Sequence, residues 1–140
     1  MVMARSSGFT LIELLVVVAI LGIISAVGIV SYNGYVSSSE KKAAENILQQ
    51  VALGMTEYYS EEGEHFKTTG ASATCTAQTS TSSEIEQKLF GEDDVIKSDF
   101  PYQFCVSTDT ASDYKIEAKE TNGTCVITLN SKGSISRSGC

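Results

Sequence analysis

Gly8 to Val30 reads GFTLIELLVVVAILGIISAVGIV, more than twenty residues almost free of polar side chains. At ~1.5 Å of rise per residue, a helix of this length covers the ~30 Å of hydrocarbon in a bilayer. The stretch is therefore expected to span a membrane. One carboxylate, Glu13, interrupts it close to its start. A charge within a spanning segment costs at least ~2.5 kcal/mol even on lenient insertion scales, so Glu13 needs a partner and is a functional residue by expectation. No lysine or arginine lies within the stretch. The cations close in sequence are Arg5 and, if the chain is cut before Phe9, a new α-amino group four residues from Glu13.

The residues around that potential cut carry a recognisable pattern. A short leader with a basic residue, MVMARSSG, is followed by Phe9, Thr10, Leu11, Ile12, Glu13 and the long apolar run. This arrangement resembles the class III signal of type IV pilins and of the related pseudopilins of type II secretion. The resemblance implies cleavage after Gly8 by a membrane prepilin peptidase and N-methylation of the new first residue, Phe9. It also implies an assembly salt bridge between Glu13 and the amino group of Phe9 in a neighbouring subunit, because a buried charge left alone is strongly unfavourable. It extends residue by residue from Gly8 to Tyr35 and beyond that only in layout. An ordinary secretory signal would place its small-residue cleavage site after the apolar run, and a plain anchor helix would have no reason to keep Glu13. The family commonly carries a proline where this chain has Val30, within a triplet that here reads Gly28-Ile29-Val30. Without that forced break, Gly22 and Gly28, each costing ~1 kcal/mol of helix propensity relative to alanine, are the expected points of flexibility.

Beyond the anchor, 140 residues leave room for one compact head. The net charge of −7 argues against nucleic acid as a partner of the monomer, since phosphate neutralisation needs clustered Lys and Arg. Four cysteines, Cys75, Cys105, Cys125 and Cys140, all lie outside the apolar run and make no CxxC pattern. They predict two disulfides and an oxidising compartment, so the head lies in the periplasm or outside while Arg5 stays in the cytoplasm.

From Ser31 to about Glu62 a helical period takes over. Ala44, Ile47, Leu48, Val51, Met55, Tyr58 and Tyr59 recur at three- and four-residue spacing, with Glu40, Lys41, Lys42, Glu45, Gln49, Gln50 and Glu57 on the other face. With no proline between the two parts, one continuous helix from about Phe9 to Tyr59 is expected. Tyr32 and Tyr35 suit the membrane interface. The region 63–99, which includes TTGASATCTAQTSTSS, reads as a surface loop. Within it Ser83 and Glu86 are spaced as a capping box opening a short helix through Leu89 and Phe90. The acidic cluster Glu92, Asp93, Asp94 lacks the ligand spacing of a calcium loop and reads as a solvated turn, and His65 reads as exposed and without a role.

From Pro101 the period becomes two. Tyr102, Phe104 and Val106 alternate with polar neighbours and Cys105; Tyr114, Ile116 and Ala118 form a second strand, Cys125, Ile127 and Leu129 a third, and Ser134 to Arg137 a short fourth. Asn122-Gly123 is a hairpin signal and also part of a glycosylation sequon, the turn being the preferred reading. The apolar face of this sheet, spanning residues 101–137, needs cover, and the stripe from Ala44 to Tyr59 is the long one available. The expected fold is α+β: a long N-terminal helix, membrane-spanning in its first half, packed through its amphipathic second half on a four-stranded antiparallel sheet. Three cysteine pairings are open by count. The layout favours Cys125 with Cys140, tying the tail to the third strand, and Cys75 with Cys105, tying the loop to the first.

The chain shows no helical HExxH, phosphate loop or Cys-His nucleophile pair, and its single histidine removes the commonest general base; the expectation is no enzyme, no cofactor and no metal. The expected organisation is a cleaved leader at 1–8, a transmembrane and polymerisation segment at 9–35, and a head at 36–140. Together with the resemblance this implies a structural subunit, read as a major pilin, held in the inner membrane with its head in the periplasm. The pilus assembly machinery there would polymerise it into a homo-oligomeric extracellular filament. The alternatives are a type II secretion pseudopilin, whose main member typically lacks a disulfide-rich tail, and a minor pilin or tip adhesin acting as a binding module.

Overall fold

The computed structural model describes residues 8–91, 95–110 and 112–140. Arg5 with the rest of the leader up to residue 7, and the acidic cluster Glu92, Asp93, Asp94, lie outside the described residues. The first element among the described residues is helix α1, Leu11–Glu62, of 52 residues. It starts after Thr10 instead of at Phe9 and runs past Tyr59 to Gly63, whose φ of 76° stops it in the left-handed conformation that glycine adopts without strain.

The described residues divide into two compact units at Ser39 and Glu40. In the first unit the large apolar side chains from Phe9 to Val30 are 49% to 89% exposed, and α1 is long and apolar enough to cross a membrane there. Tyr32 and Tyr35 are exposed as well.

In the second unit, Ala44, Leu48, Val51 and Met55 of α1 are fully buried at the three- and four-residue spacing of an amphipathic stripe. They form one core with Tyr102, Phe104, Val106, Ile116, Ala118, Ile127 and Leu129 from the sheet. The sheet is an antiparallel meander, β1 (Tyr102–Thr110), β2 (Asp113–Glu120), β3 (Val126–Asn130) and β4 (Ile135–Ser138), in the order β1-β2-β3-β4. Phe104 faces Ala118 and Ile116 faces Leu129 across the strands, so the register gathers the apolar side chains on the face toward α1.

The turns follow their side chains. Glu120 N–H donates to Cys125 O, which makes the β2–β3 connection a loop over 121–124 and not a two-residue turn on Asn122-Gly123. At the β3–β4 turn, Asn130 Oδ1 accepts from the Lys132 and Ser134 N–H groups, and Gly133 adopts φ 79°. The disulfides are Cys75–Cys105 and Cys125–Cys140. The C-terminal strand is drawn onto α1 by Arg137, whose guanidinium pairs with Glu45 at 2.5 Å.

Region 63–99 is more than a surface loop. Thr68 N–H donates to Val106 O, and Thr108 N–H donates to Ser72 O, so part of the region runs along the outer edge of β1. Next comes α2, Thr79–Ile85, which offers β1 two hydroxyls: Thr81 Oγ1 donates to Phe104 O at 2.7 Å and Ser82 Oγ accepts from Phe104 N–H at 2.9 Å. An edge that would otherwise present bare donors and acceptors is thereby covered. This cover also explains why Cys105 and Ser107 are buried although they lie on the polar phase of β1.

The expected capping box at Ser83 and Glu86 is not formed. The helix opens earlier, with Gln78 N–H donating to Thr81 Oγ1 at 2.8 Å, and Glu86 is buried, its Oε1 accepting from Ile96 N–H. Glu86 begins a π-helical turn, Glu86–Phe90, that ends at Gly91 with φ 65°. Gly54 of α1 lets this turn approach: a Cβ there would lie 3.1 Å from Leu89 Cβ. His65 is also corrected. It is half-buried between the rings of Tyr59 (centroids 4.6 Å apart) and Tyr114 (5.0 Å), and its Nδ1 is buried without a hydrogen-bond partner among the described residues.

Candidate assembly site

The chemistry of the first unit concentrates at the start of α1. Leu11 is the first helical residue, so Thr10 is the N-cap and Glu13 the third residue of the helix. The first turn of a helix leaves N–H groups without intrahelical partners, and a Thr-x-x-Glu sequence satisfies two of them reciprocally. That is the arrangement here. Thr10 N–H and Thr10 Oγ1 each lie 2.9 Å from Glu13 Oε2, and Glu13 N–H donates to Thr10 Oγ1 at 3.3 Å. The carboxylate also sits at the positive end of the helix dipole. Phe9, Ile12, Val16 and Val17 surround Glu13 in a shallow apolar groove.

Gly22 and Gly28 lie inside the helix with open space around their Cα atoms. Between them Ser25 Oγ donates back to Leu21 O at 2.7 Å, a side-chain bond that competes with the backbone ladder and softens it. Gly8 and Phe9 precede the helix in non-helical conformation, and Phe9 is 89% exposed.

The head offers little that is reactive. A hollow of about 570 Å³ is walled by hydroxyls, among them Thr69, Ser72, Thr74 and Ser80, with Glu84. The Glu84 carboxylate is already engaged by Thr69 N–H and Oγ1. Cys75, Cys105 and Glu117 come together at the spacing of metal ligands, but the two sulfurs are joined to each other and Glu117 pairs with Lys115 at 2.8 Å.

Thr10 is the residue that reasoning from the sequence passed over. Its signal was legible, since Thr10-Leu11-Ile12-Glu13 before an apolar run is itself a capping-box pattern. Read as a charge in an apolar run, Glu13 asks for a cation and does not point to Thr10.

Comparison with known proteins agrees with this location. The family model described as the prokaryotic N-terminal methylation motif matches residues 3–29. No curated protein and no solved structure matches the chain. The matched motif implies processing by a prepilin peptidase, delivery to pilus-type machinery and anchoring in a membrane before assembly, and it points to a structural family. Residues 3–29 thus carry the prokaryotic N-terminal methylation motif, the class III signal peptide of type IV pilins.

Proposed function

We propose that this chain is the major subunit of a type IV pilus. Prepilin peptidase removes residues 1–8 by cutting after Gly8, and the new amine of Phe9 is methylated. Residues 9–35 hold the subunit in the inner membrane with the head, 36–140, in the periplasm. The assembly machinery then moves that apolar surface from lipid into a bundle of identical copies, which leaves the cell as a filament. Glu13 pairs with the Phe9 amine of a neighbouring copy. The softness of α1 between Gly22 and Gly28 lets the bundle lengthen locally.

The observation that carries this reading is the composition of one surface: fifteen large apolar side chains from Phe9 to Val30 are exposed, with Glu13 as the single charge among them. Such a surface is costly in water and stable in lipid or against copies of itself. A head closed by two disulfides favours a pilus over a secretion pseudopilus. The test is Glu13→Ala. The head should keep its fold, because the stripe that packs on the sheet begins at Ala44. Filament growth should be abolished or sharply slowed, and normal piliation would contradict the proposal.

A further inference from the structure

On the face of the sheet turned away from α1, two sulfurs and a carboxylate converge. Cys105 of β1 and Glu117 of β2 are direct partners in the antiparallel register, so their side chains leave the same face with Cβ atoms ~5 Å apart. Cys75 reaches the same point from region 63–99. Its Sγ lies 3.9 Å from Glu117 Oε2, and one ligand atom from each of the three residues lies within 4.8 Å of the other two. Lys115 engages the other carboxylate oxygen, Oε1, at 2.8 Å, which leaves Oε2 turned toward the sulfurs. A tetrahedral zinc ion, with bonds of ~2.3 Å to sulfur and ~2.1 Å to oxygen, sets a sulfur and an oxygen ligand ~3.6 Å apart and two sulfurs ~3.8 Å apart. Two of the groups stand on paired strands, and region 63–99 is held to β1 by the Thr68–Val106 and Thr108–Ser72 bonds as well as by the disulfide.

We propose that the dithiol form of the head, before Cys75 and Cys105 are oxidised, binds one thiophilic divalent cation of the zinc or cadmium type through both thiolates and Glu117 Oε2. Cysteines are incorporated as thiols, so every copy passes through this form. The thiolate is the ligand, and binding therefore releases two protons from the two thiols. Soft sulfur donors select the cation, and the carboxylate supplies the third ligand that a pair of thiols lacks. Disulfide formation uses the same two sulfurs. In exchange with a small disulfide, the dithiolate-metal centre and two protons give the Cys75–Cys105 bond, two small thiols and the free cation; the protein loses two electrons and the small disulfide gains them. Cation and disulfide thus exclude each other, and the bound cation delays the bridge between region 63–99 and β1. Among the described residues, no third ligand of this kind stands beside Cys125–Cys140.

The test uses the full-length chain in detergent, carrying Cys125→Ser and Cys140→Ser so that one thiol pair remains, reduced and then freed of reductant without oxygen. The probe is Cd2+ alone, read by the ultraviolet thiolate-to-cadmium charge-transfer band, with near-ultraviolet circular dichroism of the tyrosines reporting the fold. The reduced chain should bind one cation per chain and the oxidised chain should give no band. Glu117→Gln should raise the dissociation constant at least about tenfold, the loss that even an outer-shell partner causes. Re-oxidation by glutathione disulfide, followed by intact mass, should slow about tenfold when Cd2+ stands at about ten times its dissociation constant, in proportion to the fraction of chain left free. Absence of the band in the reduced chain overturns the proposal. So does one cation per two chains, because the thiols would then come from different copies, and so does an unslowed re-oxidation. Equal affinity in Glu117→Gln overturns it by removing the carboxylate from the site. If reduction abolishes the tyrosine signal, cadmium should restore it; a band without that recovery belongs to thiols of an unfolded chain and overturns the proposal as well.

Discussion

Ser82 and Ser83 are adjacent in α2, and the structure gives them opposite weights. Ser82 is 4% exposed, and its Oγ accepts the N–H of Phe104, a residue with no exposed surface. Its hydroxyl hydrogen has acceptors at Gln103 Oε1 (2.8 Å) and Gln78 O (3.1 Å). Ser82→Ala strands the Phe104 N–H between α2 and β1, where water cannot replace the lost acceptor. The penalty for such a group is about 1–3 kcal/mol, and alanine's better helix propensity returns at most about 0.5 kcal/mol. The expected loss is about 2 kcal/mol. With a urea dependence of about 1–2 kcal/mol per molar, the midpoint should fall by about 1–2 M. Ser83 has no side-chain hydrogen bond among the described residues and lies within the helix, so Ser83→Ala should change stability by no more than about 0.5 kcal/mol. The assay is urea unfolding of detergent-solubilised chain followed by near-ultraviolet circular dichroism of the tyrosines. A capping role for Ser83 would instead make its removal cost about 1 kcal/mol. Loss at Ser83 exceeding that at Ser82 would refute the edge-cover account.

Replacing Cys75 and Cys105 together by alanine should cost about 3.6 kcal/mol in the chain-entropy model for a separation of 30 residues, read from the same urea curves. A loss under about 1 kcal/mol would mean that the Thr68–Val106 and Thr108–Ser72 bonds hold the region without the bridge. Burial, and then the charges of Glu120 and Glu40, raise the Tyr102 phenol above its usual value of 10.0, and burial alone raises Tyr114. A raised folded-state value binds the proton more tightly in the fold, so this stability is fully present below about pH 10 and is lost as pH rises past it. Unfolding midpoints should fall across that range and fall less in Tyr102→Phe; a drop of equal size in the variant would assign the alkaline loss elsewhere. In a filament map, the segment between Gly22 and Gly28 should be locally extended, lengthening α1 by on the order of 10 Å as six residues move from ~1.5 to ~3.3 Å of rise. An unbroken helix there would contradict the softness read from Gly22, Ser25 and Gly28.

Periodicity made the large elements readable in advance. The stripe from Ala44 to Met55 and the alternation of Tyr102, Phe104 and Val106 are strong because one face of each element meets the core and the other does not. Region 63–99 was less legible for a physical reason. Its Thr and Ser side chains look like solvated loop, yet Thr81 and Ser82 act as donors and acceptors to a strand edge more than twenty residues away. Composition carries no sign of that distant partner. Likewise His65 lacks periodic neighbours, and its place between Tyr59 and Tyr114 exists only once β2 is folded. At the start of α1, the type and position of Glu13 were readable from one charge in an apolar run. The contribution of Thr10 required seeing which oxygen its donors reach.

Intact mass of the main protein in filaments sheared from cells tests the central claim most directly. The account predicts that this protein is the present chain beginning at Phe9, with one extra methyl on its amine and four hydrogens fewer for its two disulfides. A chain beginning at Met1 or after Ala26, or filaments built mainly of another protein, would contradict it.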